Sequence, residues 1–171
     1  NPPRPPSASL LEAVKLLQVL ELEGKQPWLP YIEKLMSQLN VKRPGIETDI
    51  LVDTNLPTLQ RNHPHDPKRQ KDKPRVFIAP IASANKLLKN PVKRDELRNR
   101  FGAKAVEMEG SGVADATWNH EIGYLVIRGV CDYCDSRKSD EWQDYAAIAA
   151  AGYLKALFET IPSNFTYHNP V

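Results

Sequence analysis

Long apolar runs, cysteines and glycines are all scarce in this chain. None of its 171 residues belongs to a run near the roughly 20 apolar positions of a membrane helix, so no membrane role is expected. Two cysteines, Cys131 and Cys134, cannot build a disulfide framework, and their rarity favours a reducing, cytoplasmic compartment. Aromatics are only 8% of the residues, and Trp118, Trp142 and Tyr153 fall at helix-core spacing. A stacking platform for single-stranded nucleic acid is therefore not expected. In residues 1–60 the only glycines are Gly24 and Gly45, so that region has no glycine-rich phosphate loop. Excess charge is missing too. With 23 Lys and Arg against 21 Asp and Glu, a nucleic-acid surface over the whole protein is not implied.

What is present suits one globular domain, with 41% hydrophobic and 26% charged residues. A chain of this length buries roughly 70% of its unfolded surface and needs no disulfides for a core. The charge is uneven: residues 61–75 hold six Lys or Arg and two Asp, a local +4. Such a run is ordinarily a solvated loop. It also offers a polyphosphate clamp, with Arg61, Lys68, Arg69, Lys71 and Arg75 as phosphate-binding candidates. The first residue is Asn1, and the chain is expected to be a processed or excised piece of a longer one.

Periodicity and caps place the elements. Ser9 with Glu12 matches a capping box, so a helix is expected from Ser9 to a stop at Gly24. A second starts near Pro30, with Tyr31, Ile32, Leu35, Met36 and Leu39 as its stripe. Residues 40–74 form an irregular basic insertion with one short strand at Ile50–Val52. Val76–Ala79 reads as a buried strand followed by a turn at Ser83-Ala84-Asn85, and residues 91–101 as a charged helix from Pro91 to Gly102. A short strand, Ala105–Glu109, then leads into a small-residue helix from Gly110 to Trp118. Tyr124–Ile127 reads as the clearest strand. A last helix, capped by Ser139, carries Trp142, Ala146, Ala149, Tyr153, Ala156 and Leu157 toward Pro162. Alternating strands and helices make the class α/β.

Ligands of open α/β sheets bind at the carboxyl ends of strands. Three such ends carry polar groups: Ser83 with Asn85, Glu107 with Glu109, and Arg128 with Asp132. Alternation puts Glu107 and Glu109 on one face and Met108 on the other, if the strand extends that far. A partly desolvated acid at Asp132 could act as general acid. The bland reading of the same carboxylates is that they cap helices or pair with Arg128. Cys131-Asp-Tyr-Cys134 lacks further ligands of zinc spacing and does not open a helix, so neither a metal nor a redox role is expected. His63 and His65 read as solvated loop residues.

The run Val106-Glu107-Met108-Glu109-Gly110, followed by Val126-Ile127-Arg128-Gly129-Val130-Cys131-Asp132, resembles the purine nucleoside phosphorylase and nucleosidase superfamily. In pattern it is close to methylthioadenosine/S-adenosylhomocysteine nucleosidases. It is most similar to superfamily domains fused to sensor and repeat modules in immune-type proteins. The resemblance covers residues 76–161 well. It implies a three-layer α/β/α fold with a mixed sheet, of which residues 1–171 would be the incomplete, C-terminal part. It also implies cleavage of a purine N-glycosidic bond, with Asp132 as general acid at purine N7 and Glu109 on the ribose hydroxyls. Met108 would pack against the sugar, while Glu107, Ser83, Asn85, Leu87 and Arg128 would line the substrate. Leu87 stands where the family often has an aromatic residue, and Cys131 where a serine commonly supports the acid.

No cofactor and no metal are expected, and either water or phosphate is the nucleophile. Residues 1–60 lack the family's anion loop and early acid, so the N-terminal half of the domain or a companion chain is an expected partner. A homo-oligomer through the Ala-rich last helix is an alternative to packing on its own sheet. Some immune-type relatives are similar to enzymes acting on ATP, which would give the basic segment a purpose. The competing reading is a non-catalytic nucleotide-binding or oligomerisation module of a larger signalling protein.

Overall fold

The computed structural model describes residues 5–83, 88–118, 120, 122–135 and 140–161. The first helix, α1, is Ala8–Leu22. Its cap is Ser7, which accepts the Leu10 amide, and not the expected Ser9. The helix begins earlier than the capping-box pattern implied, which puts Ser9 inside the first turn. Helix α2, Leu29–Leu39, carries Pro30 in its first turn and closes at Asn40 with a left-handed φ of 52°. Helix α5, Gln143–Thr160, packs against both. The proposed Ser139 cap lies outside the described residues, and Trp142 occupies the position before the first turn.

These three helices share the core. Ala13, Val14 and Leu17 of α1 meet Trp28, Ile32 of α2, and Tyr145, Ile148, Ala156 and Leu157 of α5. Trp28 is 1% exposed, its ring 5.3 Å from that of Tyr153. Gly152 lets α2 and α5 approach: a Cβ there would sit 2.5 Å from Ile32 Cγ1, inside any real contact. The Ala-rich helix therefore packs on helices, where the sequence left its own sheet and a neighbouring subunit equally open, with Val76, Leu125 and Ile127 added at its margin.

Strands are short. Within residues 40–74 lie a 3₁₀ turn, Ile46–Thr48, and an antiparallel pair, β1 (Leu51–Val52) with β2 (Gln60–Arg61). The parallel pair is β3 (Ile81–Ser83) with β4 (Ala105–Glu107), Ser83 standing opposite Glu107. Helix α3, Pro91–Phe101, joins them; Asn90 accepts the amides of Val92 and Lys93, and Gly102 ends it at φ 66°. Helix α4, Gly110–Trp118, follows β4.

The α/β class holds, with two differences from the expected strands. Val76–Ala79 joins no ladder among the described residues, and Phe77 and Ile78 are exposed; the strand starts at Ile81. Tyr124–Ile127 likewise has no ladder among the described residues, although Leu125 and Ile127 are half-buried against the core. An apolar run predicts burial; which backbone it pairs with is a non-local matter.

Candidate functional site

The turn between β4 and α4 is built around Glu107. Its Oε2 accepts the amides of Glu109 at 2.8 Å and Gly110 at 2.7 Å, and the carboxyl also bonds the Ser83 side chain. Ser83 Oγ in turn accepts the Ser111 amide at 2.9 Å. The first amides of α4 are thus satisfied from within the chain. Burial would raise the Glu107 carboxyl, but the Ser83 hydroxyl and the two amides outweigh it and hold it below the ordinary glutamate value. Glu107 and Ser83, expected to line the substrate, instead spend their polar atoms on holding this turn.

Because β4 ends at Glu107, strand alternation stops there, and Glu107 and Glu109 do not share a face. Glu107 is 4% exposed, whereas the Glu109 side chain is 64% exposed. Met108, beside it, is exposed. Arg128 Nη1 donates to Glu109 Oε2 at 2.8 Å. The structure therefore brings Ser83, Glu107, Glu109 and Arg128 into one linked set. Asn85 and Leu87 lie outside the described residues.

Asp132 follows Arg128 by four residues, at most about 14 Å of chain. Gly129 between them lies against the Ala146 carbonyl of α5, a place with no room for a side chain. Asp132 Oδ1 accepts the Cys134 amide at 2.8 Å, closing a local turn in which Cys134 takes a left-handed φ of 55°. The Cys131 thiol lies 3.7 Å from Asp132 Oδ2.

The next residue, Tyr133, is tied from two sides, and the partners were not anticipated from sequence. Its hydroxyl donates to Asp49 Oδ1 at 2.6 Å, and its carbonyl accepts Arg94 Nη1 at 2.8 Å. Burial, and then Asp49, push the phenol well above the ordinary tyrosine value. His63 joins this cluster, its Nε2 2.8 Å from the Asp49 carbonyl and its ring 5.8 Å from that of Tyr133. The expectation of a solvated histidine fails for His63, because the β1–β2 pair folds it back, while His65 is exposed. Arg94 also donates to Thr54 at 3.0 Å and pairs with Asp95, which accepts the Thr54 hydroxyl at 2.7 Å.

The five basic candidates divide. Arg61 pairs with Asp53, and Arg75 pairs with Glu21 at 2.8 Å and Asp66 at 3.0 Å, its side chain 13% exposed. Both cations already have carboxylate partners within the chain, although the Arg61 side chain stays 62% exposed. Lys68, Arg69 and Lys71 face solvent. Two surface grooves, of about 630 and 430 Å³, lie beside Thr54 and α3 and beside α2 and Arg43. Neither is lined by Asp132, Glu109 or Met108. No described helix is long and apolar enough to cross a membrane.

Residues 18–159 match the family model of the phosphorylase superfamily. Among similar proteins, a nucleotide-binding leucine-rich repeat (NLR)-like protein of Hyaloscypha variabilis is 38% identical over 90 residues, 53% of this chain and 9% of that protein. The ATP nucleosidase Cap17 of Escherichia coli is 36% identical over 77 residues, 44% of this chain and 15% of the relative. A 5′-methylthioadenosine/S-adenosylhomocysteine nucleosidase of Mycobacterium tuberculosis is 28% identical over 89 residues, 52% of this chain and 35% of the relative. The matched segment is thus a minor part of each of these proteins. No solved structure matches the chain significantly. With most of its length inside the family model, the chain belongs to the phosphorylase superfamily.

Proposed function

We propose that this chain supplies the leaving-group side of a site that cleaves the N-glycosidic bond of a purine nucleoside or nucleotide. Breaking that bond leaves negative charge on the base and positive charge on the sugar. A proton delivered to purine N7 by Asp132 neutralises the first, and a carboxylate at the ribose stabilises the second. One observation carries the reading: Glu109 is a solvent-facing carboxylate paired with Arg128, and Arg128 precedes Asp132 by four residues. An ionised carboxylate has about four acceptor sites, so Glu109 can keep Arg128 and still accept two ribose hydroxyls. Met108 offers the sugar an apolar neighbour.

The names of the relatives, which include ATP and methylthioadenosine/S-adenosylhomocysteine nucleosidases, support this chemistry. The nucleophile, water or phosphate, would be held by the remainder of a family domain or by a companion chain, which would also close the pocket over Asp132 and Glu109. A nucleotide substrate would meet Lys68, Arg69 and Lys71 with its 5′ phosphates.

The test is release of free base from ATP, adenosine and inosine, with and without phosphate. It is run on this chain alone and with any companion chain. Asp132→Asn should lower turnover by about 10²- to 10⁴-fold, the usual contribution of a general acid, and leave nucleoside binding intact. Full-speed turnover by that variant would end the assignment. Nucleotide binding without base release in every form would favour a binding module instead.

A further inference from the structure

The two residues that follow Asp132 in its loop, Tyr133 and Cys134, do more than the proposed chemistry requires of them. Tyr133 adds no reacting group, yet both ends of it are gripped. Its hydroxyl goes to Asp49 at 2.6 Å, in a cluster with His63, and its carbonyl goes to Arg94 at 2.8 Å. The residue after it, Cys134, sits at φ 55° without being glycine, a conformation that costs free energy and persists only where its surroundings impose it. That same residue's amide is the donor to Asp132 Oδ1, 2.8 Å away. The chain is therefore clamped at Tyr133, bent at Cys134, and folded back so that the bend's own N–H orients the carboxylate.

The clamp is itself pre-organised. Arg94 lies on α3, whose ends are fixed by Asn90 and Gly102. Its guanidinium is held flat by Asp95 at 3.0 Å and spends its far nitrogen on Thr54 at 3.0 Å. Thr54 closes the ring by donating to Asp95 at 2.7 Å. Only one nitrogen of the fork is directed at the Tyr133 carbonyl, and an arginine so braced presents that donor at a fixed point. A side chain held by such a supporting shell keeps a reacting group within the narrow geometry that catalysis needs.

We propose that Arg94 and Tyr133 are the positioning residues of Asp132, setting the direction of its carboxyl through the backbone of residues 132–134; the proposal rests on Asp132 being the acid. Arg94 holds the loop from α3, and Tyr133 holds it from the segment that carries Asp49. The role is indirect: neither touches the substrate.

Two measurements test it. The first needs no activity. Hydrogen exchange of the Cys134 amide should quicken at least about tenfold in Tyr133→Phe and in Arg94→Ala, while the amides of Ile148 and Gly152 in α5 keep their protection. Unchanged protection at Cys134 in both variants overturns the proposal. Tyr133→Phe removes a single hydroxyl and decides the matter should Arg94→Ala fail to fold.

The second uses whichever form of the protein releases base. Each variant should lower kcat about tenfold while changing the KM for nucleoside by less than twofold. Placed on Asp132→Asn, neither should lower turnover further, because the group they aim has lost its proton. Losses that multiply on that background overturn the positioning role and leave Asp132 as the acid. Full turnover by Asp132→Asn alone overturns the acid, and the positioning proposal falls with it.

Discussion

Trp28 and Tyr133 are both aromatic residues locked in place, but by opposite means. Trp28, 1% exposed, is held by burial among α1, α2 and α5. Tyr133 is held by hydrogen bonds to residues 39, 70 and 84 positions away in the chain. The first arrangement is non-directional and tolerates small shifts, since apolar contact depends on area and fit. The second depends on donors and acceptors meeting within a few tenths of an ångström. The difference matters for function. The helical layer provides a rigid floor, with Ala146 of α5 lying directly under Gly129, while the directional network aims what lies above it.

The contrast is broken most severely at the floor. Trp28→Ala should destabilise the chain by about 3–5 kcal/mol, the usual range for a buried tryptophan, read as a lowered urea midpoint. A loss under 1 kcal/mol would mean that the three-helix core is not what holds the fold.

Glu107→Gln sharpens the comparison at smaller cost, about 1 kcal/mol at pH 7, because it keeps the shape and loses the charge at the amino end of α4. The folded carboxyl lies below its ordinary value of 4.5. Its charge therefore stabilises above pH 4.5, and that contribution is lost as the pH falls through the lower, folded value. The stability curves of parent and variant should separate at neutral pH and converge on the acid side. Parallel curves across pH 3–7 would rule out the charge as the source.

The smallest effect belongs to the exposed cations. Arg69→Ala with Lys71→Ala should raise the KM for ATP by roughly 3- to 10-fold, since each exposed charge contributes on the order of 0.2–1 kcal/mol. The KM for adenosine should hardly move. Equal effects on both substrates would remove the basic segment from substrate recognition.

Local features were legible in the sequence and long-range ones were not. Helix α3 matched its expected bounds because Asn90, Pro91 and Gly102 act on their own neighbours. Helix α4 was equally readable, and the Glu109–Arg128 pair matches the bland alternative for these carboxylates, but the strand expected to reach Glu109 ends at Glu107. By contrast, the apolar runs 76–79 and 124–127 predicted burial and strands together, and only part of the burial followed. Asp49, Thr54 and Arg94 carried no motif at all. Asp49 and Thr54 lie in what reads as an irregular insertion and Arg94 on what reads as an ordinary charged helix, and their significance is a matter of which loop they reach.

Composition, caps and the order of motifs determined the α/β class, the helix bounds and the membership of a superfamily, because each rests on near neighbours or on chain order. Tertiary structure alone decided that Glu107 is inward and structural while Glu109 faces out, that Arg61 and Arg75 are already paired, and that Asp132 sits in a loop clamped from two distant segments. The physical reason is range. Caps and turns act within a few residues, whereas ion pairs and hydrogen bonds across loops exist only after the chain has folded their partners together.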